Sequence, residues 1–414
     1  LIDWKFRLIF DLIPETAITQ LFFIMKIIQY CQHVLGIGHY MRSLEISRAL
    51  SDHKVILVTG GPPVDTRLPK HICEFRLSDL QMNEEFKGLF STEQNATLDQ
   101  VKKKRQKRLF TLIEREKPDV FLVELYPFGR KAFRFELDPI LQAIHENKLP
   151  PCSVVCSVRD ILVEKEKQHK HETRVVKTLN RYFDAVLVHA DPRLIKLKET
   201  FDHFDEIAIP VYYTGYIAAK PSPDAGKRIR KRLGIGDDEI LIVASAGGGN
   251  VGTPILEAVI RAFSRLEVNR RCYLKVFTGP FLDRREFERL KKLAGDNVVV
   301  NQFTTDFLSY LAAADLSVSM GGYNTTMNIL AAGVPALVWP FPQNREQRLR
   351  AERLADLGAL ACLENEDLRP NRLADAIDQQ LSQLNRPPVD IDLDGAANTA
   401  AWINSRLKRI RRNY

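Results

Sequence analysis

The stretch from Ser317 to Gln347, SVSMGGYNTTMNILAAGVPALVWPFPQNREQ, decides the fold. It reads as a short apolar strand, a Gly-Gly turn, a helix opening on Asn324, Thr325 and Thr326, a second strand broken by proline, and a polar loop. That order brings a helix N-terminus and a polar loop to the carboxyl ends of two strands, where open α/β sheets collect anionic ligands. Gly321 and Gly322 leave backbone N–H groups open to close approach, and the Asn and Thr side chains add donors. The stretch has the chemistry of a phosphate site.

Working outward, the alternation of strand and helix continues in both directions. Downstream, helices are expected at 345–357 and 370–383, followed by PPVDIDLDG and a basic amphipathic helix at about 396–411. Upstream, EILIVASA (239–246) runs into GGGNVG, and CYLKVFTG (272–279) and NVVVNQF follow with helices between them. The segment Gly215 to Lys227, GYIAAKPSPDAGK, interrupts the periodicity and marks a linker. An earlier series precedes it: KIIQYC (26–31), KVILVTGG (54–61), DVFLVEL (119–125), CSVVCSV (152–158), AVLVHA (185–190) and a short strand near 207–210. A chain of 414 residues, 45% of them hydrophobic, is long enough for two cores. The expectation is an α/β protein of two Rossmann-like doubly wound domains facing across a cleft. Its parts are an extension outside the fold (1–24), a first domain (25–214), a linker (215–227), a second domain (228–394) and a terminal helix (395–414). A ligand between the halves follows naturally.

Gly36-Ile37-Gly38-His39 lies between the first strand and its helix, and the glycines at 36 and 38 permit a substrate to approach the backbone. His39 falls in the first helical turn, where the positive end of the dipole disfavours imidazolium; a neutral histidine in a cleft is a competent general base. A capping or packing histidine fits the same spacing. Glu124 and Asp160 stand at strand ends, and either could orient the His39 ring. Each could also cap a helix, a role that suits Asp160 better. Arg130 and Arg159, on the same edge, suit an anionic acceptor group or plain surface ion pairing. In the second half, Gly247, Gly248, Gly249 and Asn250 follow an apolar strand. Three consecutive glycines each cost backbone entropy on folding, which packing alone does not explain, so they point to a phosphate-facing turn. Together with Gly321-Gly322 that turn could clasp one diphosphate without a metal.

The net charge of +8 suggests an anionic partner such as a nucleotide, a phosphorylated lipid, an acidic membrane or a nucleic acid, although a merely basic protein has the same charge. The basic run Lys102 to Arg108 reads as a solvated helix face, with contact to an acidic surface as the functional alternative. Six cysteines show neither a CxxC pair nor zinc spacing, which fits a reduced cytosolic protein without structural metal. Asp390, Asp392 and Asp394 alternate after Pro387-Pro388 in a surface connection unsuited to a metal. No GxxxxGK[ST] loop or GxSxG elbow occurs, and the GxGH turn lacks the third glycine of a dinucleotide fingerprint. Leu1 to Ile24 carries Asp3, Lys5, Arg7, Asp11, Glu15 and Pro14, which is too charged for a membrane span and unlike a cleavable signal. A loose amphipathic membrane contact is its functional alternative.

The pairing of GIGHYMRSLEISRAL with SMGGYNTTMNILAAGVPALVWPFPQNREQRLRAERL resembles bacterial glycosyltransferases of the GT-B fold, in the branch of predicted transferases related to the peptidoglycan lipid-intermediate N-acetylglucosaminyltransferase. The resemblance runs from about Met25 to Gly358. It implies a first domain for the acceptor, a second for a nucleoside-diphosphate sugar, and a terminal helix crossing back to the first. By position, His39 resembles the acceptor-activating base, Gly248 and Gly249 the glycine turn at the donor phosphates, and Gly321, Gly322, Asn324 and Thr325 the diphosphate-binding helix start. Gln343, Asn344, Glu346 and Gln347 fall in the polar loop that reads the donor sugar. Asn328 stands where related transferases usually carry a glutamate for the ribose hydroxyls, and an amide holds a diol less strongly than a carboxylate.

The implied reaction is hexosyl transfer from a nucleotide sugar, UDP-linked by family habit, to an acceptor hydroxyl deprotonated by His39. The nucleotide sugar is substrate; no cofactor and no metal are expected. The implied setting is cytoplasmic, peripheral at the inner membrane face, with contact to an acidic membrane and none to nucleic acid. Nucleotide-sugar hydrolases share the GxGHxMR opening and are the closest alternative; the long region Ser78 to Lys148, able to build an acceptor pocket, favours transfer. A non-catalytic protein that binds nucleotide sugars or membranes is the alternative from another class.

Overall fold

The computed structural model describes residues 24–33, 37–82, 88–91, 96–162, 168–249, 251–266, 271–382 and 389–410. The expectations for residues 1–23, Gly36 and Asn250 lie outside them.

The apolar runs of the first half form β1 (Lys26–Tyr30), β2 (Lys54–Thr59), β3 (Ile72–Arg76), a small hairpin of β4 (Leu80–Met82) and β5 (Leu89–Ser91), β6 (Val120–Glu124), β7 (Ser153–Arg159), β8 (Ala185–His189) and β9 (Val211–Tyr213). Between them lie α1 (Gly38–Ala49), α2 (Leu98–Glu116), α3 (Arg134–His145) and α4 (Gln168–Tyr182). Seven of these strands make a parallel sheet in the order β3-β2-β1-β6-β7-β8-β9. Because strand side chains alternate faces, Ile28, Ile56, Phe121 and Val123 pack on one side with Leu109, Leu137 and Leu179 of α2 to α4. Ile27, Val55, Leu57, Val120 and Leu122 pack on the other. A sheet buried on both faces needs helices on both, and α1 alone does not supply the second layer.

The second half builds α5 (Ala225–Leu233), β10 (Ile240–Ser245), α6 (Thr253–Phe263), β11 (Cys272–Phe277), α7 (Arg284–Leu293), β12 (Val298–Asn301), α8 (Phe307–Ala313), β13 (Leu316–Met320), α9 (Tyr323–Ala332), β14 (Ala336–Trp339), α10 (Arg345–Asp356), β15 (Ala361–Cys362), α11 (Pro370–Ser382) and α12 (Gly395–Ile410). Its six-stranded parallel sheet runs β12-β11-β10-β13-β14-β15. The final helix, α12, leaves this domain and completes the first: Ala400 and Ile403 join Tyr40 and Leu44 in the core, and Trp402 meets the Tyr212 ring at 5.4 Å.

Several expectations shift. The short strand expected at 207–210 lies at Val211–Tyr213, after a 3₁₀ turn, and β3 to β5 had no expectation. The basic run of α2 is not one solvated face, because Arg105 is wholly buried. It holds Glu136 at 2.6 Å and the Ser78 carbonyl at 2.5 Å, and the Tyr30 hydroxyl donates to the same Glu136. The alternating aspartates secure the two crossings between domains. Asp390 pairs with Arg193 and Asp394 with Lys220, while the Asp392 carbonyl accepts the Tyr216 N–H at 2.7 Å. Asp392 also occupies the space a side chain at Gly215 (φ 83) would need.

Candidate active site

Strand order fixes where the site lies. In the first sheet the order reverses between β1 and β6, and in the second between β10 and β13. Helices leave to opposite faces at such points and open a crevice at the strands' carboxyl ends. His39 follows β1 and Glu124 ends β6, so the first switch point carries both. Gly247 to Gly249 follow β10, and Gly321 to Asn324 follow β13, so the second carries the glycine turns. The two crevices face each other: Asn324 Nδ2 donates to the Gly38 carbonyl at 3.4 Å.

On the first side, His39 Nδ1 lies 2.6 Å from Glu124 Oε1, and Arg42 Nη2 donates to the same oxygen at 2.5 Å. Arg42 Nη2 is also 3.0 Å from His39 Nδ1, yet a guanidinium cannot accept a hydrogen bond and a carboxylate cannot donate one. The consistent assignment puts the proton on Nδ1, donated to Glu124, and leaves Nε2 with its lone pair. Glu124 is 2% exposed at its side chain and His39 24%, so the pair is buried at the carboxylate and open at the imidazole. Burial, and next the Arg130 charge, lower the His39 pKa to about 3 against the opposing pull of Glu124. Burial alone would raise the Glu124 carboxyl, but the contact with His39 and the charges of Arg42 and Arg130 hold it well below the usual range. His39 is therefore neutral, with burial as the leading cause. Arg42, three residues after His39 and hence on the same helix face, was readable from that spacing but was not singled out.

The second side is built on backbone. Gly247 (φ 65) and Gly249 (φ 93) adopt left-handed conformations that favour glycine, and the loop packs against Gly279 (φ 94). A side chain at Gly247 would meet Thr325 Oγ1 at 3.6 Å, which brings the two turns together. Helix α9 starts at Gly322 without a side-chain cap, leaving its first N–H groups for a ligand. Asn328 lies one turn after Asn324 and is half-buried. Thr326 is buried. Phe281, 46% exposed beside Gly248, is an aromatic surface at this turn that the sequence pattern did not flag.

The polar loop is already engaged. Asn344 Oδ1 caps α10 by accepting from Gln347 N at 3.0 Å, and Gln347 Oε1 accepts from Phe341 N at 3.0 Å. Gln343 is exposed. Glu346 accepts from Arg159 Nη2 at 2.6 Å, so a residue expected at the donor sugar and one expected at the acceptor hold each other across the cleft. Burial raises the Glu346 carboxyl despite that contact and lowers Arg159. Among the described residues Asp160 grips Arg350 of α10 through two hydrogen bonds of 2.7 and 3.0 Å, in a pair that is 0% and 1% exposed. Arg350 and Arg42 lie on the Tyr323 ring, at 5.1 and 5.3 Å from its centre. Among the described residues no group of three or more His, Cys, Asp or Glu side chains is placed to hold a metal ion, and no helix is long and apolar enough to cross a membrane.

Residues 243–391 match the model of the glycosyltransferase family 28 C-terminal domain. The chain has the GT-B fold, and its second half is similar to that C-terminal domain. It is 24% identical to an uncharacterised glycosyltransferase of Methanopyrus kandleri, over 51% of this chain and 59% of that one. It is 29% identical to the UDP-N-acetylglucosamine–N-acetylmuramyl-(pentapeptide) pyrophosphoryl-undecaprenol N-acetylglucosamine transferase of Bacillus licheniformis, over 50% of this chain and 54% of that one. The chain thus spans a little over half the length of these relatives. Among solved structures, the calicheamicin glycosyltransferase CalG4 superposes with a TM-score of 0.56 at 18% identity, over 94% of this GT-B chain and 99% of that one. Acinetobacter baumannii MurG does so with a TM-score of 0.55 at 16% identity, over 93% and 99%. At such identities the likeness is one of fold.

Proposed function

We propose that this protein transfers a hexosyl group from a nucleoside-diphosphate sugar, UDP-linked, to an acceptor hydroxyl, with the first domain holding the acceptor and the second the donor. The observation that carries the reading is the His39–Glu124 pair, 2.6 Å apart, standing across the cleft from the glycine turns and joined to them through Asn324 and Gly38. His39 Nε2 takes the hydroxyl proton as the oxygen attacks the anomeric carbon. Glu124 holds the ring's tautomer and stabilises the imidazolium that forms. The departing diphosphate is held by N–H groups of the Gly247–Gly249 turn, by the uncapped start of α9 and by Asn324 and Thr325, which supply in place of a metal the charge stabilisation that leaving requires. Asn328, one turn further, faces the ribose. The relatives' printed activities support the donor class.

The test is His39→Ala. Turnover of a UDP-sugar should fall by about 10²–10⁴, while the Kd for UDP stays within twofold of wild type by calorimetry. Unchanged turnover removes the base assignment, and rapid release of free sugar without an acceptor replaces transfer by hydrolysis.

A further inference from the structure

We propose that Arg130 binds an anionic group of the acceptor, a carboxylate or phosphate carried within a few bonds of the hydroxyl that His39 deprotonates. The inference rests on the transferase reading for the word acceptor, and on the geometry of Arg130 for the anion.

The other buried arginines of this cleft each hold a carboxylate through a hydrogen bond, although Arg159 Nε and Arg350 Nη1 also lack a partner. Arg159 holds Glu346 at 2.6 Å, Arg350 holds Asp160 at 2.7 Å, and Arg42 holds Glu124 at 2.5 Å. Arg130 faces the carboxylate that Arg42 and His39 already share, with Nε 3.6 Å from Glu124 Oε2 and no hydrogen bond between them. Its Nε and Nη2 are buried without a hydrogen-bond partner, and so is that Glu124 oxygen. Two guanidiniums therefore surround one carboxylate beside a neutral imidazole, leaving one positive charge in a cleft that penalises an uncompensated ion. A planar fork with open N–H groups is the geometry that carboxylates and phosphates match.

Because Arg130 and His39 touch opposite oxygens of one carboxylate, an anion on the guanidinium and a hydroxyl on Nε2 belong to one small molecule or one end of a larger one. The Arg130 charge is, after burial, the leading cause that lowers His39. An anion that cancels it makes His39 a stronger base when acceptor arrives. The donor's own diphosphate is the other source of such an anion, but its proposed contacts lie on the opposite domain.

The experiment is calorimetric titration of inorganic phosphate into wild type, Arg130→Gln and Arg130→Lys, each nucleotide-free and saturated with UDP, with the His39 imidazole followed by NMR. Expected are phosphate binding to UDP-saturated wild type at least tenfold tighter than to Arg130→Gln, UDP affinity unchanged within twofold, partial rescue in Arg130→Lys, and a His39 pKa that rises with phosphate only where a cation stands at 130. Equal phosphate affinity in wild type and Arg130→Gln overturns the proposal. A tenfold loss of UDP affinity in Arg130→Gln assigns the anion to the donor and overturns it equally. Absence of UDP binding to wild type defeats the donor reading on its own, and the nucleotide-free titrations then still decide whether Arg130 is an anion site.

Discussion

Asp160→Asn should be among the most destabilising single substitutions in this protein, although the two residues it separates are 190 positions apart. The change keeps the shape of the side chain and removes its charge. Arg350, 1% exposed and lying against the Tyr323 ring, is then left with a buried positive charge and no carboxylate. Removing one partner of a buried, doubly hydrogen-bonded pair costs about 3–5 kcal/mol. The molecule contains its own control. Arg353 and Glu199 also link α10 to the first domain, at 3.0 Å, but are 46% and 32% exposed. Solvent screening and side-chain entropy reduce such a pair to about 0–1 kcal/mol, so Arg353→Ala should be nearly silent. Urea unfolding followed by circular dichroism measures both. The double variant Asp160→Leu with Arg350→Met should be less destabilised than either single change, because it removes both desolvation costs together. A loss below about 1 kcal/mol for Asp160→Asn, or equal losses for Asp160→Asn and Arg353→Ala, would refute the claim that burial gives the first pair its weight.

Other outcomes follow from the same geometry. With His39 held down to about 3 from an ordinary 6.5, and Glu124 held low, kcat/KM should stay flat from pH 8 to below pH 5; an acid limb near 6.5 would contradict the burial of the pair. Stability should fall as pH drops through 6.5 and 4.5, because the unfolded chain then takes up protons that folded His39 and Glu124 refuse; urea midpoints across that range check the sign. Asn324→Ala should weaken UDP binding by about tenfold, the worth of a hydrogen bond to a charged group, and calorimetry showing no loss would place the phosphates elsewhere. Gly279→Ala puts a Cβ 2.5 Å from Gly247 O at φ 94, so it should cost more than about 2 kcal/mol and weaken UDP binding by displacing the glycine turn. Unaltered thermal stability and UDP affinity would show that the turn has room to move.

Local order was enough for part of this. An apolar run, a glycine turn and a helix start are adjacent in sequence, and a parallel strand can only deliver such a turn to its carboxyl end. The Gly247–Gly249 and Gly321–Asn324 turns and the place of His39 are therefore legible in the sequence alone, as is the doubly wound class. The linker's composition was also readable, but that the alternating aspartates would secure it was not. What the tertiary structure alone decided is which distant charges meet. Glu124 rather than Asp160 reaches His39, because β6 is the direct neighbour of β1 while β7 lies one strand further out. Asp160 finds Arg350, Arg159 finds Glu346, and Arg105 turns inward to Glu136, each joining residues far apart in the chain. Ion pairs between distant elements carry no periodicity or spacing in sequence, since any carboxylate can serve any guanidinium until the packing of helices and sheets brings one of them within reach.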